Sequence, residues 1–209
     1  ADEYVCKPFN PRVLLARVRA GQRMIELREQ VEHDKELRAQ QLAKMAVLNR
    51  RLETAALTDV LTELPNRRYA MTRLEQELAA AQRSHAPLSV IMIDLDKFKS
   101  INDQHGHDTG DVVLRETAAV LRKSLRRADV VCRLGGEEFL VIAPGGDLER
   151  STMVAERIRQ AVEQNVIRHG AFQRGITVSL GVASLESEHQ SIDSLIKLSD
   201  QRVYIAKSN

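Results

Sequence analysis

The chain has 209 residues, 43% of them hydrophobic but only 3% aromatic, which suits one aliphatic core of domain size with something smaller beside it. Its 31 basic and 29 acidic residues leave a net charge of +2, so nothing in the charge balance argues for nucleic acid or an anionic membrane as a partner. The longest apolar run, Leu88 to Ile93, is far too short to span a bilayer, no signal-peptide pattern opens the chain, and the cytosol is the expected compartment.

The two cysteines, Cys6 and Cys132, lie far apart in a chain without secretory features. A reduced thiol at Cys132, buried in a core strand, is expected rather than a disulfide or a metal ligand. A first residue that enters mid-element, with no starting Met, reads as a piece of a longer protein.

In chain order, Lys7-Pro8-Phe9 precedes Asn10 as a helix cap, Pro11 at the first helical position and apolar residues at Val13, Leu14 and Val18. Residues 1–22 resemble the last strand and last helix of a response-regulator receiver domain. That resemblance implies that Lys7 contacts a phosphorylated aspartate in the intact protein, and that an upstream histidine kinase is a partner. Residues 11–57 then hold no proline after Pro11 and a single glycine, Gly21. A 3-4 alternation picks out Met24, Leu27, Val31, Asp34, Arg38, Gln41, Met45, Leu48, Leu52 and Ala55, apolar at both ends and polar in the middle. The expectation is a parallel coiled-coil stalk joining two copies, with a solvated tether as the alternative.

Asp59 and Thr62 are turn and cap formers that end this helix, and Asn66 starts the next one, through about Ser84. After Ala86-Pro87 a buried strand, Leu88 to Ile93, runs into Asp94. Lys99 and Asn102 follow within one or two turns, and a glycine-rich bend over residues 106–111 leads into a helix to about Leu125. Two apolar runs, Asp129 to Cys132 and Leu140 to Ala143, flank Gly135-Gly136, a hairpin signal because tight turns need backbone angles that glycine adopts cheaply. The hairpin tip then carries Glu137 and Glu138. Brought beside Asp94, these make an oxygen-only cluster suited to Mg²⁺ against nucleotide phosphates. Asp96 is read as a structural acceptor, with a second ligand as the alternative. His105 and His107 are read as capping the bend, since no third zinc ligand stands near. A helix over 149–162, a strand over 176–184 and a closing helix over 192–206 complete the chain.

Gly135-Gly136-Glu137-Glu138-Phe139, together with Asp94-x-Asp96-x-Phe98-Lys99-x-x-Asn102-Asp103-x-x-Gly106-His107-x-x-Gly110-Asp111, resembles the GGDEF family of diguanylate cyclases over residues 58–209. Ala56 to Arg68 resembles the family's entry segment, with Glu63 where glycine is common, a departure expected to matter little for chemistry. The resemblance implies an α+β fold with a nucleotidyl-cyclase or polymerase palm-like sheet flanked by helices, here preceded by the long coiled-coil helix. It implies condensation of two GTP into cyclic di-GMP by a homodimer paired through stalk and cyclase domains. Mg²⁺, or Mn²⁺, would be held by Asp94, Glu137 and the Leu95 carbonyl, with Glu138 aiding metal binding or proton removal. Substrate contacts fall on Phe98, on Lys99 for phosphate, and on Asn102 and Asp111 for guanine, whose hydrogens Asp111 accepts where adenine has none to give. Spacing alone shows only an acidic, lysine-bearing loop there.

Leu198 to Lys207 resembles the family's ending, with Ser199, Arg202 and Val203 as departures and Lys207 at a phosphate-contacting position. The family continues into Gly-Arg-Asn with a further phosphate-binding arginine. Arg126-x-x-Asp129, five residues before the first motif glycine counted from Asp129's neighbour Val130, stands where the family binds inhibitory product, and Arg157 matches a helper at that site. Arginine forks onto guanine and aspartate accepts from it, whereas outside this context a surface ion pair would be the natural reading. A silent cyclic di-GMP-binding module is the alternative function. The intact set Asp94, Lys99, Asn102, Asp111, Glu137 and Glu138 speaks against it.

Overall fold

A computed structural model describes residues 11–185 and 191–208. The expectations resting on Cys6, Lys7, Pro8, Phe9 and Asn10 fall outside the described residues, as do the side chains of Leu52 and Ala55. The chain divides into two units, Ala1–Glu53 and Thr54–Asn209.

The first unit is carried by helix α1, Pro11–Leu57, 47 residues that begin on the expected proline. Every described side chain from Pro11 to Ala46 is exposed. The seam residues Met24, Leu27, Val31 and Met45 are among them, and with Leu48 they are at 50% exposure or more. An exposed apolar stripe on a helix of this length is the kind of surface that a second helix covers. Among the described residues no helix is long and apolar enough to cross a membrane.

The second unit runs α2 (Arg67–Ser84), β1 (Leu88–Leu95), α3 (Phe98–His105), α4 (His107–Ser124), β2 (Val130–Gly135), β3 (Glu138–Pro144), α5 (Leu148–Gln164), β4 (Ile167–His169), β5 (Phe172–Arg174), β6 (Val178–Ser184) and α6 (Ile192–Lys207). Four strands form one antiparallel sheet in the order β2-β3-β1-β6, the α+β architecture expected. β1 is apolar almost throughout because both its faces are covered. Ile91, Ile93 and Leu95 point into a core with α3, α4 and α5, while Leu88, Val90 and Met92 alternate into a second core with α2 and α6. Cys132 is fully buried in the second core, and burial pushes its thiol up to about 12, so it is a neutral packing group.

Local signals set the helix starts. Asn66 Oδ1 accepts from Tyr69 N, Asp147 Oδ1 from Arg150 N, and Ser191 Oγ from Ser194 N, each satisfying an amide that the first turn leaves open.

Two features differ from the sequence expectation. The glycine-rich stretch 106–111 is not one bend: α4 starts at His107, directly after Gly106, so Gly110 and Asp111 are helical. Gly110 is needed for close approach, since a Cβ there would run into the Asn102 side chain and the Phe98 ring. The second is the short ribbon β4–β5, absent from the expected element order. Buried Phe172 anchors it, its ring 5.2 Å from and edge-on to His105, with Arg174 5.3 Å over its face. His105 thus packs on the ribbon, while its carbonyl accepts from Thr109 Oγ1 at 2.8 Å.

Candidate active site

The alternation that buries Leu88, Val90 and Met92 carries on to Asp94, which therefore emerges on the α2/α6 face at the end of β1. Asp94 lies opposite Glu138 in the β1–β3 register and opposite Ser179 in the β1–β6 register. Glu137 is in the two-residue turn between β2 and β3, with Gly136 before it at φ +52°. Positive φ at the first central position alone is the sign pattern of a type II′ turn, the position for which glycine is preferred. The Leu95 amide donates to the Glu137 carbonyl at 3.3 Å, tying the strand end to the turn. The structure thus brings Asp94, Leu95, Glu137 and Glu138 together.

The acids lie in each other's field. Burial, then the Asp94 carboxylate, hold Glu137 above the ordinary carboxylate value, with Glu138 adding to the rise and Lys207 opposing it. Lys207, the last residue of α6, brings its ammonium to 2.6 Å from Asp94 Oδ1. Burial alone would lower the Lys207 pKa; the Asp94 carboxylate, with Glu137 and Asp96 behind it, reverses this and raises it. This ion pair is close but off the hydrogen-bond axis: Asp94 Oδ1 is buried and has no donor aligned on it. Asp96 is committed elsewhere, its Oδ1 accepting from Ser179 Oγ at 2.7 Å, as a structural acceptor would.

A divalent cation fits this corner. Asp94, Glu137 and Glu138 share the single nearby Lys207 ammonium, so the corner carries more negative than positive charge, and Asp94 Oδ1 has no geometrically aligned hydrogen bond. Among the described residues no three His, Cys, Asp or Glu side chains group as a metal cluster. One or two carboxylates completed by water and substrate phosphates is the usual habit of Mg²⁺, which rarely takes an all-protein cage.

The elbow between α3 and α4 forms the other half of the site. Asn102 lies against Gly110, and its Oδ1 is the second buried oxygen here without a hydrogen-bond donor. Asp111 follows on α4, half-buried; only its carbonyl is engaged, by Arg115 Nε, and its carboxylate has no intramolecular partner among the described residues. Lys99 is exposed on the first turn of α3. The Phe98 ring is 6% exposed and belongs to the core, which narrows any substrate role of this residue to its main chain.

The third cluster sits at the opposite end of β2, roughly 20 Å from the turn for a six-residue strand. The Asp129 carboxylate is fully buried and accepts from Arg126 Nε at 2.9 Å and Arg126 N at 3.3 Å. Arg157 reaches across from α5 to the Ser124 carbonyl at the end of α4. The three residues singled out from sequence therefore meet at one corner, and the i, i+3 ion pair is formed there.

Sequence reasoning missed Arg133. Its guanidinium donates to both oxygens of Asp59, at 2.9 and 3.2 Å, and to the Gly136 carbonyl at 3.1 and 2.7 Å. It thereby ties the entry turn, where Asp59 also caps Thr62, to the turn that carries Glu137. An arginine two residues before a Gly-Gly pair carries no signal of this by itself.

The family model described as "Diguanylate cyclase, GGDEF domain" matches residues 56–209. The response regulator PleD of Caulobacter vibrioides is 36% identical over 214 residues, which cover 100% of this chain and 43% of PleD. The chain thus spans less than half the length of that curated relative. Among solved structures, the coiled coil and GGDEF domain of DgcB from Caulobacter crescentus, in complex with c-di-GMP, is similar with a TM-score of 0.74 and 30% identity, covering 81% of this chain and 92% of that one. The active GGEEF domain of a diguanylate cyclase from Vibrio cholerae matches with a TM-score of 0.65 and 36% identity, covering 69% and 91% respectively.

Proposed function

This chain belongs to the GGDEF family of diguanylate cyclases, and from that premise we propose that it condenses two GTP molecules into cyclic di-GMP with release of two pyrophosphates. The observation that carries the reading is the pair of buried oxygens without an aligned hydrogen bond, Asp94 Oδ1, which has only the Lys207 ammonium beside it, and Asn102 Oδ1, one where a metal–triphosphate would sit and one where a guanine N–H would be met.

In this reading Asp94, Glu137 and the Leu95 carbonyl hold Mg²⁺ or Mn²⁺. Such an ion would neutralise phosphate charge and acidify the attacking hydroxyl. Lys99 and Lys207 add positive charge along the triphosphate, and the main chain at Phe98 opens α3 toward it. Asn102 and Asp111 orient guanine, Asp111 accepting its N1 and N2 hydrogens. Each ribose 3′-oxygen forms a bond to the α-phosphorus of the other GTP, the bond to pyrophosphate breaks, and the 3′-hydroxyl proton passes to a nearby carboxylate or to water; Glu138, the exposed neighbour of Asp94, either takes that proton or aids metal binding. Two subunits must face each other for this, and the exposed apolar residues at the ends of α1 support pairing through the stalk.

Control would follow from that geometry. A receiver domain before α1, phosphorylated by a histidine kinase in the cytosol, would set the pairing, and cyclic di-GMP at Arg126, Asp129 and Arg157 would hold the domains apart. With Nε committed to Asp129, the two terminal nitrogens of Arg126 are left to fork onto guanine. The silent-module reading is not favoured, since Asp94, Lys99, Asn102, Asp111, Glu137 and Glu138 are all retained in the sequence.

Nucleotide choice and dilution test this directly. GTP, not ATP, should be consumed, with two pyrophosphates per cyclic dinucleotide, and specific activity should fall as the protein is diluted. Equal use of ATP would remove the guanine-site assignment, and specific activity unchanged on dilution to monomer would remove the two-subunit site.

A further inference from the structure

Lys207 occupies an unexpected place for a phosphate ligand. Its ammonium is 2.6 Å from the carboxylate oxygen that the proposed function gives to the metal, and it has no other ion pair among the described residues. The lysine is tethered at the C-terminal end of α6, where the helix dipole favours a cation, and it faces Asp94, Glu137 and Asp96 together. Removing positive charge from this corner would leave Asp94, 13% exposed, beside Glu137 and Glu138 with no counter-charge. An ammonium 2.6 Å from a carboxylate oxygen and a divalent cation bound to that oxygen at about 2.1 Å would lie close enough to repel each other, so loading the cation favours moving the ammonium away.

We propose that Lys207 is an exchangeable placeholder: in the empty site its ammonium neutralises Asp94, and on loading it leaves that carboxylate to the divalent cation and moves to the triphosphate. The inference rests on the metal and triphosphate assignment above and adds an order of events to it. The lysine and the cation compete for Asp94 when no nucleotide is present and cooperate when it is, because the triphosphate then takes the displaced ammonium. The off-axis contact fits a placeholder, since it neutralises the carboxylate without saturating its lone pair. A side chain 39% exposed, on a flexible four-carbon stem, has room to make the move. The arrangement keeps the acids apart from stray cations until nucleotide and metal arrive together.

The test is Mn²⁺ binding without nucleotide, read from the electron paramagnetic resonance of free Mn²⁺, for the wild-type chain, Lys207→Met, Lys207→Arg and Asp94→Asn. Lys207→Met should bind Mn²⁺ at least about tenfold more tightly than wild type, the size expected from losing one adjoining positive charge at a partly solvated site. Lys207→Arg should stay near wild type. With a non-hydrolysable GTP analogue added, the order should reverse, Lys207→Met binding the Mn²⁺–nucleotide pair more weakly. Mn²⁺ affinity in Lys207→Met equal to or weaker than wild type would overturn the exchange. If Asp94→Asn lost Mn²⁺ binding in that same experiment, the metal assignment would survive and only the exchange would fall. Mn²⁺ binding indifferent to Asp94→Asn would overturn both.

Discussion

The two ends of strand β2 carry the same chemistry in opposite states. At its start the Asp129 carboxylate, fully buried, has both oxygens engaged by Arg126, and Arg157 closes the adjoining helix end. At its far end, beyond Gly135, three carboxylates gather around one lysine, and a buried oxygen has no aligned donor. The Asp129 corner has completed the hydrogen bonds of its carboxylate and leaves only the outer nitrogens of the exposed Arg126 for a ligand, while the Asp94 corner keeps a buried oxygen for a ligand to complete. Asn102 makes the same point on the α3–α4 elbow.

Substitution should separate the two corners. Asp94→Ala is expected to lower Mg²⁺-dependent GTP turnover by about three orders of magnitude or more, as loss of several kcal/mol of charge stabilisation implies, while leaving the thermal midpoint where it was or higher. An active Asp94→Ala variant would remove the comparison's second half. Asp129→Ala should do the reverse. It should cost about 1–2 kcal/mol of stability, because Arg126 loses a buried acceptor but can return to water, and initial turnover should persist. Urea unfolding of the two variants side by side reads the contrast, and equal stability losses would erase it.

Arg133 links the ends of the account, because it fixes the turn bearing Glu137 to the entry turn at Asp59. Arg133→Ala should cost about 2 kcal/mol, four charge-assisted hydrogen bonds being lost at a side chain 11% exposed. Burial opposes ionisation of Asp59, yet the hydrogen bonds from Thr62 and Arg133 prevail and hold its pKa below the ordinary 3.8. The sign follows: this carboxylate's contribution is complete above about pH 3.8 and is lost as pH falls through the lower folded value. The stability gap between wild type and Asp59→Asn should therefore be widest near neutral pH and shrink in acid. A gap that grew on acidification would contradict the clamp.

The smallest effect concerns Glu63, at φ +56° in the entry turn, where the family commonly has glycine. The departure matters to the backbone rather than to chemistry. Glu63→Gly should stabilise by about 1 kcal/mol, a rise of about 2–4 °C in Tm for a domain of this size, with turnover unchanged. An unchanged or lower Tm in a calorimetric scan would show that the left-handed backbone at Glu63 carries no strain for glycine to relieve.

Legibility tracked the range of the interactions involved. The buried strand before Asp94, the hairpin at Gly135-Gly136 and the cap at Asn66 were readable because each is written in a few adjacent residues. The ribbon β4–β5 was not, since Ile167-Arg168-His169 and Phe172-Gln173-Arg174 are three residues each and take their stability from one buried ring on His105. The stretch 106–111 misled for a related reason: Gly110 serves a contact across to Asn102, which local turn chemistry cannot reveal. In the site, the motifs pointed to the acids and the elbow. The Lys207–Asp94 and Arg133–Asp59 pairs join residues 113 and 74 positions apart, and only the fold brings them together.

The most direct test of the whole reading follows GTP, pyrophosphate and cyclic di-GMP together in Mg²⁺, on protein cleared of bound nucleotide, for wild type and Arg126→Ala. The account predicts cyclic di-GMP formation that slows as product accumulates, and slows less in Arg126→Ala. Tight binding of cyclic di-GMP with no turnover of GTP in either protein would contradict it and leave a sensing module in its place.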